Sequence, residues 1–63
     1  MTTHYRGFDI QLEAADAWRA AIVKSATGKR WSKTLSATLD EGQEVCERRA
    51  KNLVDAYLAL NGR

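Results

Sequence analysis

Residues 38–60 read TLDEGQEVCERRAKNLVDAYLAL, and this stretch decides the fold. Thr38 and Glu41 have the spacing of a capping box, in which the threonine hydroxyl accepts from the glutamate amide and the glutamate side chain reaches back. A helix is therefore predicted to begin at about Leu39. Small or apolar residues then recur at steps of three and four, as one helical face requires. These residues are Leu39, Gly42, Cys46, Ala50, Leu53, Tyr57 and Leu60.

The predicted helix ends at Asn61 and Gly62, because either residue can adopt the left-handed conformation of a C-cap. It is expected to run for about 20 residues, or about 30 Å at the usual rise per residue. The face opposite the apolar stripe is charged and carries Glu44, Glu47, Arg48, Lys51 and Asp55. A helix with one apolar and one charged face is expected to cover another layer of structure.

Ahead of the helix the apolar residues recur with a period of two, which indicates strands. The segment 8–13 alternates cleanly between apolar and polar residues. The segment 17–25 favours a strand because its centre is β-branched, although its alanines leave a helical interpretation open. The segment 30–36 follows a polar turn in which Gly28 can take a positive φ, so these two strands are predicted to form a hairpin. The connection at 14–16 is short enough for another antiparallel turn.

These elements predict one α+β domain over residues 1–63, a three-stranded antiparallel β-meander packed on one long C-terminal α-helix (βββα). The second predicted strand is central, and His4, ahead of the first strand, is interpreted as part of a tail. The predicted core consists of Phe8, Ile10, Leu12, Trp18, Ile22, Trp31 and Leu35 from the sheet and Cys46, Ala50, Leu53, Tyr57 and Leu60 from the helix. Trp31 is the less certain of the two tryptophans, because a shift of one residue in its strand would turn it outward.

Composition limits the classes of protein to consider. The chain is 44% hydrophobic and 29% charged, which is typical of a folded domain rather than a disordered tail. Neither a signal-peptide pattern nor a run of ten apolar residues occurs, so a cytoplasmic protein without a membrane partner is expected. Cys46 is the only cysteine, which excludes an internal disulfide and favours a reducing compartment. The formal net charge of +2 permits a polyanionic partner without requiring one.

The residues needed for catalysis are too few to suggest an enzyme. The only histidine, His4, lies in the predicted tail, and the only thiol, Cys46, lies on the apolar helical stripe. Asp40 and Glu41 are explained by the helix start, where the macrodipole favours acidic residues. The loop at Gly28 has one glycine and precedes a strand, so it does not match a phosphate-binding loop. No catalytic residue, metal, cofactor or small-molecule substrate is predicted.

The sheet face turned away from the helix is the surface on which binding is expected. Its centre carries Ala21 and Val23, and an apolar spot rimmed by polar residues is typical of a protein interface. A protein-interaction module or inhibitor, using the open face or edge of the sheet and including a homodimer, is narrowly preferred because the net charge is low. The candidate binding residues are Arg6, Arg19, Ala21, Val23, Lys29, Arg30 and Trp31.

The alternative is a nucleic-acid-binding protein, with DNA as the first candidate. Arginines and short hydroxyl side chains on an antiparallel face can lie against a phosphate backbone or enter a major groove. A basic group around the second hairpin adds to this surface and consists of Lys24, Lys29, Arg30 and Lys33. Acidic Asp9 and Glu13 on the same face dilute the positive field, which is why this hypothesis ranks second.

Several short motifs resemble a known family. They are Tyr5-Arg6-Gly7, Trp18 with Ile22, Gly28-Lys29-Arg30-Trp31, Thr34-Leu35 and Asp55-Ala56-Tyr57. Their order resembles the DNA-binding domain of plant ethylene-response factors and its relatives at the N-termini of tyrosine integrases, over most of the chain. The resemblance implies a three-stranded sheet and one helix, with the sheet laid in the DNA major groove and contacts from Arg6, Arg30 and Trp31. Other reading positions of the family fall here on Asp9, Gln11, Ala21 and Val23, which differ from its arginines and glutamate.

Overall fold

The computed structural model describes residues 1–61, which form one antiparallel sheet covered on one face by one helix. The strands are β1 (Thr2–Tyr5), β2 (Phe8–Ala14), β3 (Trp18–Lys24) and β4 (Arg30–Ala37), and the helix is α1 (Gly42–Asn61). The strands lie side by side in chain order, β1-β2-β3-β4. The α+β class, the antiparallel meander and the C-terminal helix are therefore confirmed. Over the described residues, no helix combines the length and apolarity that crossing a bilayer requires.

The sheet has four strands, so the prediction of three was wrong. The residues interpreted as a tail form β1, which pairs with β2 from Thr2 opposite Gln11 to Tyr5 opposite Phe8. Both β2 and β3 are consequently central. The turn between β1 and β2 consists of Arg6 at φ 50° and Gly7 at φ 87°, and two consecutive positive φ values are the signature of a type I′ hairpin turn.

This first turn was missed because Arg6 is an unusual residue for it. Type I′ turns favour Asn or Asp ahead of the glycine, since a positive φ is unfavourable for most other side chains. Arg6 is held there by a tertiary contact, as its Nη1 donates to Asp55 Oδ1 of α1 at 2.7 Å. The ion pair offsets part of the conformational cost of the positive φ at Arg6. This cost is the reason why the residue types alone do not predict a turn here.

The capping box is present, but the helix begins three residues later than predicted. The Glu41 amide donates to Thr38 Oγ1 at 3.1 Å, and Glu41 Oε1 accepts from the Thr38 amide at 2.9 Å. Gly42 then has a φ of 86°, which lies outside the right-handed helical region. The box therefore closes a separate turn, and α1 begins at Gly42 instead of Leu39.

The core lies between the sheet and one face of α1. The helix contributes small residues at intervals of four, Cys46, Ala50 and Val54, all of them fully buried. Side chains of this size let the helix pack close to the sheet. The buried sheet residues are Phe8, Ile10, Leu12, Ala20, Ile22 and Ala37, and the partly buried residues packed around this core include Trp18, Trp31, Leu35 and Leu53.

Two helix residues of the predicted core are exposed instead of buried. Leu60 is 82% exposed and Tyr57 is 39% exposed. A helix of about 20 residues spans about 30 Å, whereas a strand of seven or eight residues spans about 25 Å. Leu58 still packs against the core, so only the residues after it extend past the sheet. There Asn61 Nδ2 donates to the Tyr57 carbonyl at 2.9 Å. Gly62, the second residue of the predicted stop, lies outside the described residues.

The pairing of β3 with β4 is irregular, but the irregularity does not change the face on which Trp31 lies. Ala21 lies opposite Thr34 and Val23 opposite Arg30, so β4 accommodates extra residues between these two pairs. The shift is even, which leaves Arg30 and Thr34 on the same face of the sheet. Trp31 consequently points toward the helix, where its ring contacts Phe8 with the centroids 5.1 Å apart.

Candidate nucleic-acid interface

The structure separates the seven predicted binding residues onto different surfaces. The sheet face turned away from α1, called here the open face, carries Arg19, Ala21, Val23 and Arg30, as their cross-strand partners show. Arg6 lies in the β1–β2 turn, and Lys29 lies in the loop between β3 and β4. Trp31 lies on the helix side of the sheet.

The open face offers less apolar surface than its sequence suggests. Ala21 is only 7% exposed, and Val23 is half-buried. Neighbouring longer side chains flank Ala21, since Gln11 and Thr34 lie directly opposite it on the two adjacent strands. Arg19 is paired with Asp16 across 3.3 Å. The face is a mixed polar surface with a shallow concavity of about 550 Å³.

A second concavity, called here the hairpin groove, lies at the β3–β4 turn. Its volume is about 640 Å³, and it is lined by Lys24, Thr27, Lys29, Arg30, Trp31, Ser32, Lys33 and Tyr57. Half of these residues are basic. The loop that presents them is closed by backbone hydrogen bonds, as the Lys24 amide donates to the Lys29 carbonyl at 2.9 Å and the Gly28 amide to the Lys24 carbonyl at 2.8 Å. Gly28 adopts the positive φ of 71° that the predicted turn requires.

An aromatic cluster forms the floor of the hairpin groove. The Trp31 and Tyr57 rings lie 4.9 Å apart between centroids at an interplanar angle of 53°. Phe8, which is buried in the core, packs edge-on against both, at 5.1 Å from Trp31 and 5.9 Å from Tyr57. The two groove rings are therefore fixed from behind, while part of the Tyr57 ring remains open to solvent.

The charges of the protein are segregated along its long axis, which measures 37 Å. Acidic residues collect where β2 turns into β3 and where β4 leads into α1, namely Glu13, Asp16, Asp40, Glu41 and Glu44. The opposite end carries the four cations of the hairpin groove. Within residues 1–61 those four cations form no salt bridge. Two of the five acids are paired with arginines, Asp16 with Arg19 and Glu41 with Arg49, so the acidic end has a smaller charge than its acids alone suggest. The small net charge of the protein thus combines a basic end and an acidic end.

Two acidic residues do lie near the basic end, and both are already engaged. Asp9 accepts from Ser25 Oγ at 3.0 Å and contacts His4 Nδ1. Asp55 accepts from Tyr5 and Arg6. Hydrogen bonds from His4 and then Ser25 lower the pKa of Asp9, so this carboxylate stays ionised with its charge partly satisfied locally.

Ser25, Asp9 and His4 do not form a catalytic triad, although all three residue types are present. In a triad the histidine stands between the hydroxyl and the carboxylate so that it can take the hydroxyl proton. Here the carboxylate stands in the middle and accepts from Ser25 while contacting His4. The arrangement fastens the β1–β2 hairpin to the start of the β3–β4 loop.

The thiol of Cys46 lies fully buried in the core, as its position on the apolar stripe predicted. Burial raises the pKa of the Cys46 thiol, which keeps it protonated. Within residues 1–61, no three His, Cys, Asp or Glu side chains group closely enough to hold a metal ion.

Asp55 joins the first hairpin to the helix. Its carboxylate accepts from the Tyr5 hydroxyl at 2.8 Å and from Arg6 Nη1 at 2.7 Å. The hydrogen bond from Arg6, followed by that from Tyr5, lowers the pKa of Asp55. The hydrogen bond between Tyr5 and Asp55 raises the pKa of Tyr5. Deprotonated Asp55 is thus the form that holds β1 and its turn in place.

Acid is therefore expected to destabilise the fold partly through Asp55. The unfolded carboxyl, with a pKa of about 3.9, takes up a proton before the folded one does. The contribution of Asp55 to the free energy of unfolding is fully present above the unfolded pKa, and it is lost as the pH falls through the lower pKa of the folded state. In Asp55→Asn, urea unfolding should show a smaller drop in stability between pH 7 and pH 3 than in the unchanged protein. Asp40→Asn, at an exposed acidic residue, is the matched control, and an undiminished drop in Asp55→Asn would contradict this role.

No family model, curated protein or solved structure matches this chain. The sheet-plus-helix arrangement agrees with the architecture that the motif resemblance implies, but β1 adds a fourth strand. The resemblance implies DNA contacts from Arg6, Arg30 and Trp31. In the structure, Arg6 donates a hydrogen bond to Asp55, whereas Trp31 faces the helix. Arg30 lies on the open face and also reaches the hairpin groove.

Tyr57 is the site residue that sequence reasoning missed. The helical period placed it in the core, and its neighbours in the aromatic cluster come from β2 and β4, far from it in sequence. The one available signal was its place near the predicted helix end, where a stripe residue can extend beyond the sheet. Lys24 and Lys33 belong to the basic hairpin that the sequence predicts, but the sequence pattern does not bring Tyr57 to the same groove.

Proposed function

We propose that this protein is a non-enzymatic binding module that holds nucleic acid in the hairpin groove. The observation that carries the proposal is the composition of that groove, in which Lys24, Lys29, Arg30 and Lys33 surround the partly open rings of Trp31 and Tyr57. Cations beside aromatic rings are the usual means by which proteins bind phosphate backbones with bases attached.

The separation of basic and acidic residues supports nucleic-acid binding, although the net charge of the whole protein is small. Long-range attraction depends on the local potential, and acidic residues at the far end of a 37 Å molecule lie beyond the Debye length of about 10 Å at 0.1 M salt. A polyanion approaching the β3–β4 turn therefore meets a positive surface. The acidic end would orient the protein on its ligand by repulsion.

A salt-dependent titration tests the proposal. Fluorescence anisotropy of labelled single-stranded and duplex oligonucleotides should rise on addition of the protein at low salt. If the four groove cations displace four counterions from a single strand, log K should fall with log salt at a slope of about −3. Affinity would then drop about 50-fold between about 50 and about 200 mM salt. An absence of binding at low salt, or binding that does not respond to salt, would contradict the proposal.

Protein association remains a second candidate, and the edge of the sheet at β1 favours it. β1 is an outer strand of sequence TTHY, without the lysine, proline or bulge that commonly protects an edge. The other outer strand, β4, carries basic residues and the irregular pairing described above. A second copy of this chain or an extended peptide could add a strand at β1. Sedimentation velocity at micromolar concentration would show a dimer, and a strict monomer would remove the homodimer.

A further inference from the structure

We infer that the hairpin groove selects single-stranded nucleic acid and holds an unpaired base against Trp31 and Tyr57. This inference rests on the proposed function and specifies its ligand. It begins with the β3–β4 turn, where four cations and two aromatic rings line the same groove. A phosphate backbone bound by those cations carries its bases within reach of the rings only if the bases are free to turn toward the protein.

The aromatic floor is suited to stacking because it is already in place. Phe8 is buried and contacts both rings edge-on, so neither ring has to be ordered when a base arrives. Tyr57 is 39% exposed, which leaves part of one ring face open. A preformed platform lowers the entropic cost of binding.

A duplex would not satisfy the same groove. Its bases are stacked and paired inside the helix, so only the phosphates could reach Lys24, Lys29, Arg30 and Lys33, while the two rings stayed uncovered. A single strand can contribute both phosphate contacts and base stacking. An acidic peptide would also match the cations but would leave the rings without a planar partner.

The two tryptophans provide a direct test, because they lie at opposite ends of β3 and β4. Trp18 pairs with Ala37 near the acidic end, and Trp31 lies in the groove. In Trp18→Phe, a thymidine homo-oligonucleotide should quench the fluorescence of the remaining Trp31. In Trp31→Phe, the same oligonucleotide should leave Trp18 fluorescence nearly unchanged. Quenching of both tryptophans to the same extent would overturn the inference.

Tyr57 separates stacking from backbone attraction. Tyr57→Leu should weaken binding of the thymidine oligonucleotide by about 5- to 140-fold, which corresponds to about 1–3 kcal/mol for one stacked base. It should leave the affinity for an abasic oligonucleotide of equal length unchanged, and Tyr57→Phe should bind thymidine like the unchanged protein. Circular dichroism of each variant establishes that it is folded.

The outcomes distinguish this inference from the proposed function. If no oligonucleotide binds at low salt, the proposed function fails and the inference with it. If duplex, abasic and thymidine oligonucleotides bind equally well and Trp31 fluorescence does not change, the groove binds nucleic acid by charge alone and only the inference fails. If poly-glutamate competes with thymidine oligonucleotide at equal charge, the site prefers anions without regard to bases, which also overturns the inference.

Discussion

Ile22→Ala is expected to destabilise the fold by about 2–5 kcal/mol, enough to unfold a large share of the molecules. Ile22 is fully buried in central strand β3, directly opposite Ile10 of β2. A domain of 63 residues has a total stability of about 3–9 kcal/mol at the usual value per residue. Removing most of one core side chain also leaves a cavity that so small a core cannot easily fill.

Urea unfolding followed by circular dichroism measures this effect, and Leu60→Ala is its matched control. Both changes shorten a large aliphatic residue that the apolar pattern assigned to the core. Leu60 is 82% exposed, so its replacement should change stability by no more than about 0.5 kcal/mol. If Leu60→Ala were as damaging as Ile22→Ala, the end of α1 would have to be buried against the sheet, in contradiction to the exposure of Leu60.

The second large effect concerns binding. Reversing two groove cations in Lys29→Glu/Lys33→Glu is expected to lower affinity for single-stranded oligonucleotides by about 100-fold or more at low salt. Each change replaces an attraction to phosphate with a repulsion. Two unit charges about 4 Å apart interact with about 1 kcal/mol even in water. With two fewer phosphate contacts, the slope of log K against log salt should fall from about −3 to about −1.4.

A second double variant controls for the change in net charge. Arg19→Glu/Arg48→Glu alters the charge by the same amount at exposed positions on the open face and on α1. It should retain most of the affinity, because neither residue lines the hairpin groove. Equal losses in the two double variants would mean that the whole protein field, or the open face, attracts the ligand. A larger loss in the Arg19→Glu/Arg48→Glu variant would move the interface to the open face.

The hairpin end illustrates how far sequence reasoning about function could go. Net charge and the order of residues along the chain suggested that acidic side chains dilute the basic hairpin. In the fold, Glu13 lies opposite Arg19, near the acidic end, and Asp9 is engaged by His4 and Ser25. Charged residues near the two ends of one strand lie far apart in the fold, since each strand carries the chain from one end of the molecule to the other.

The sequence by itself determined the features that depend on neighbours along the chain. The alternation in 8–13, the turn glycine at Gly28 and the capping box at Thr38 each report local geometry, and the corresponding strand, hairpin and turn are present. Their signals are strong because period, turn conformation and capping are set within a few residues.

Tertiary structure alone decided the rest. β1 is joined to the helix by Tyr5 and Arg6, which both donate to Asp55, about 50 positions away, while Arg6 adopts a positive φ that its residue type disfavours. The irregular pairing between β3 and β4 leaves no mark in the apolar pattern, although Trp31 faces the helix as that pattern predicts. The candidate site depends on Tyr57 meeting Trp31. Each of these outcomes balances a local cost against contacts between distant residues, and that balance exists only once the chain has folded.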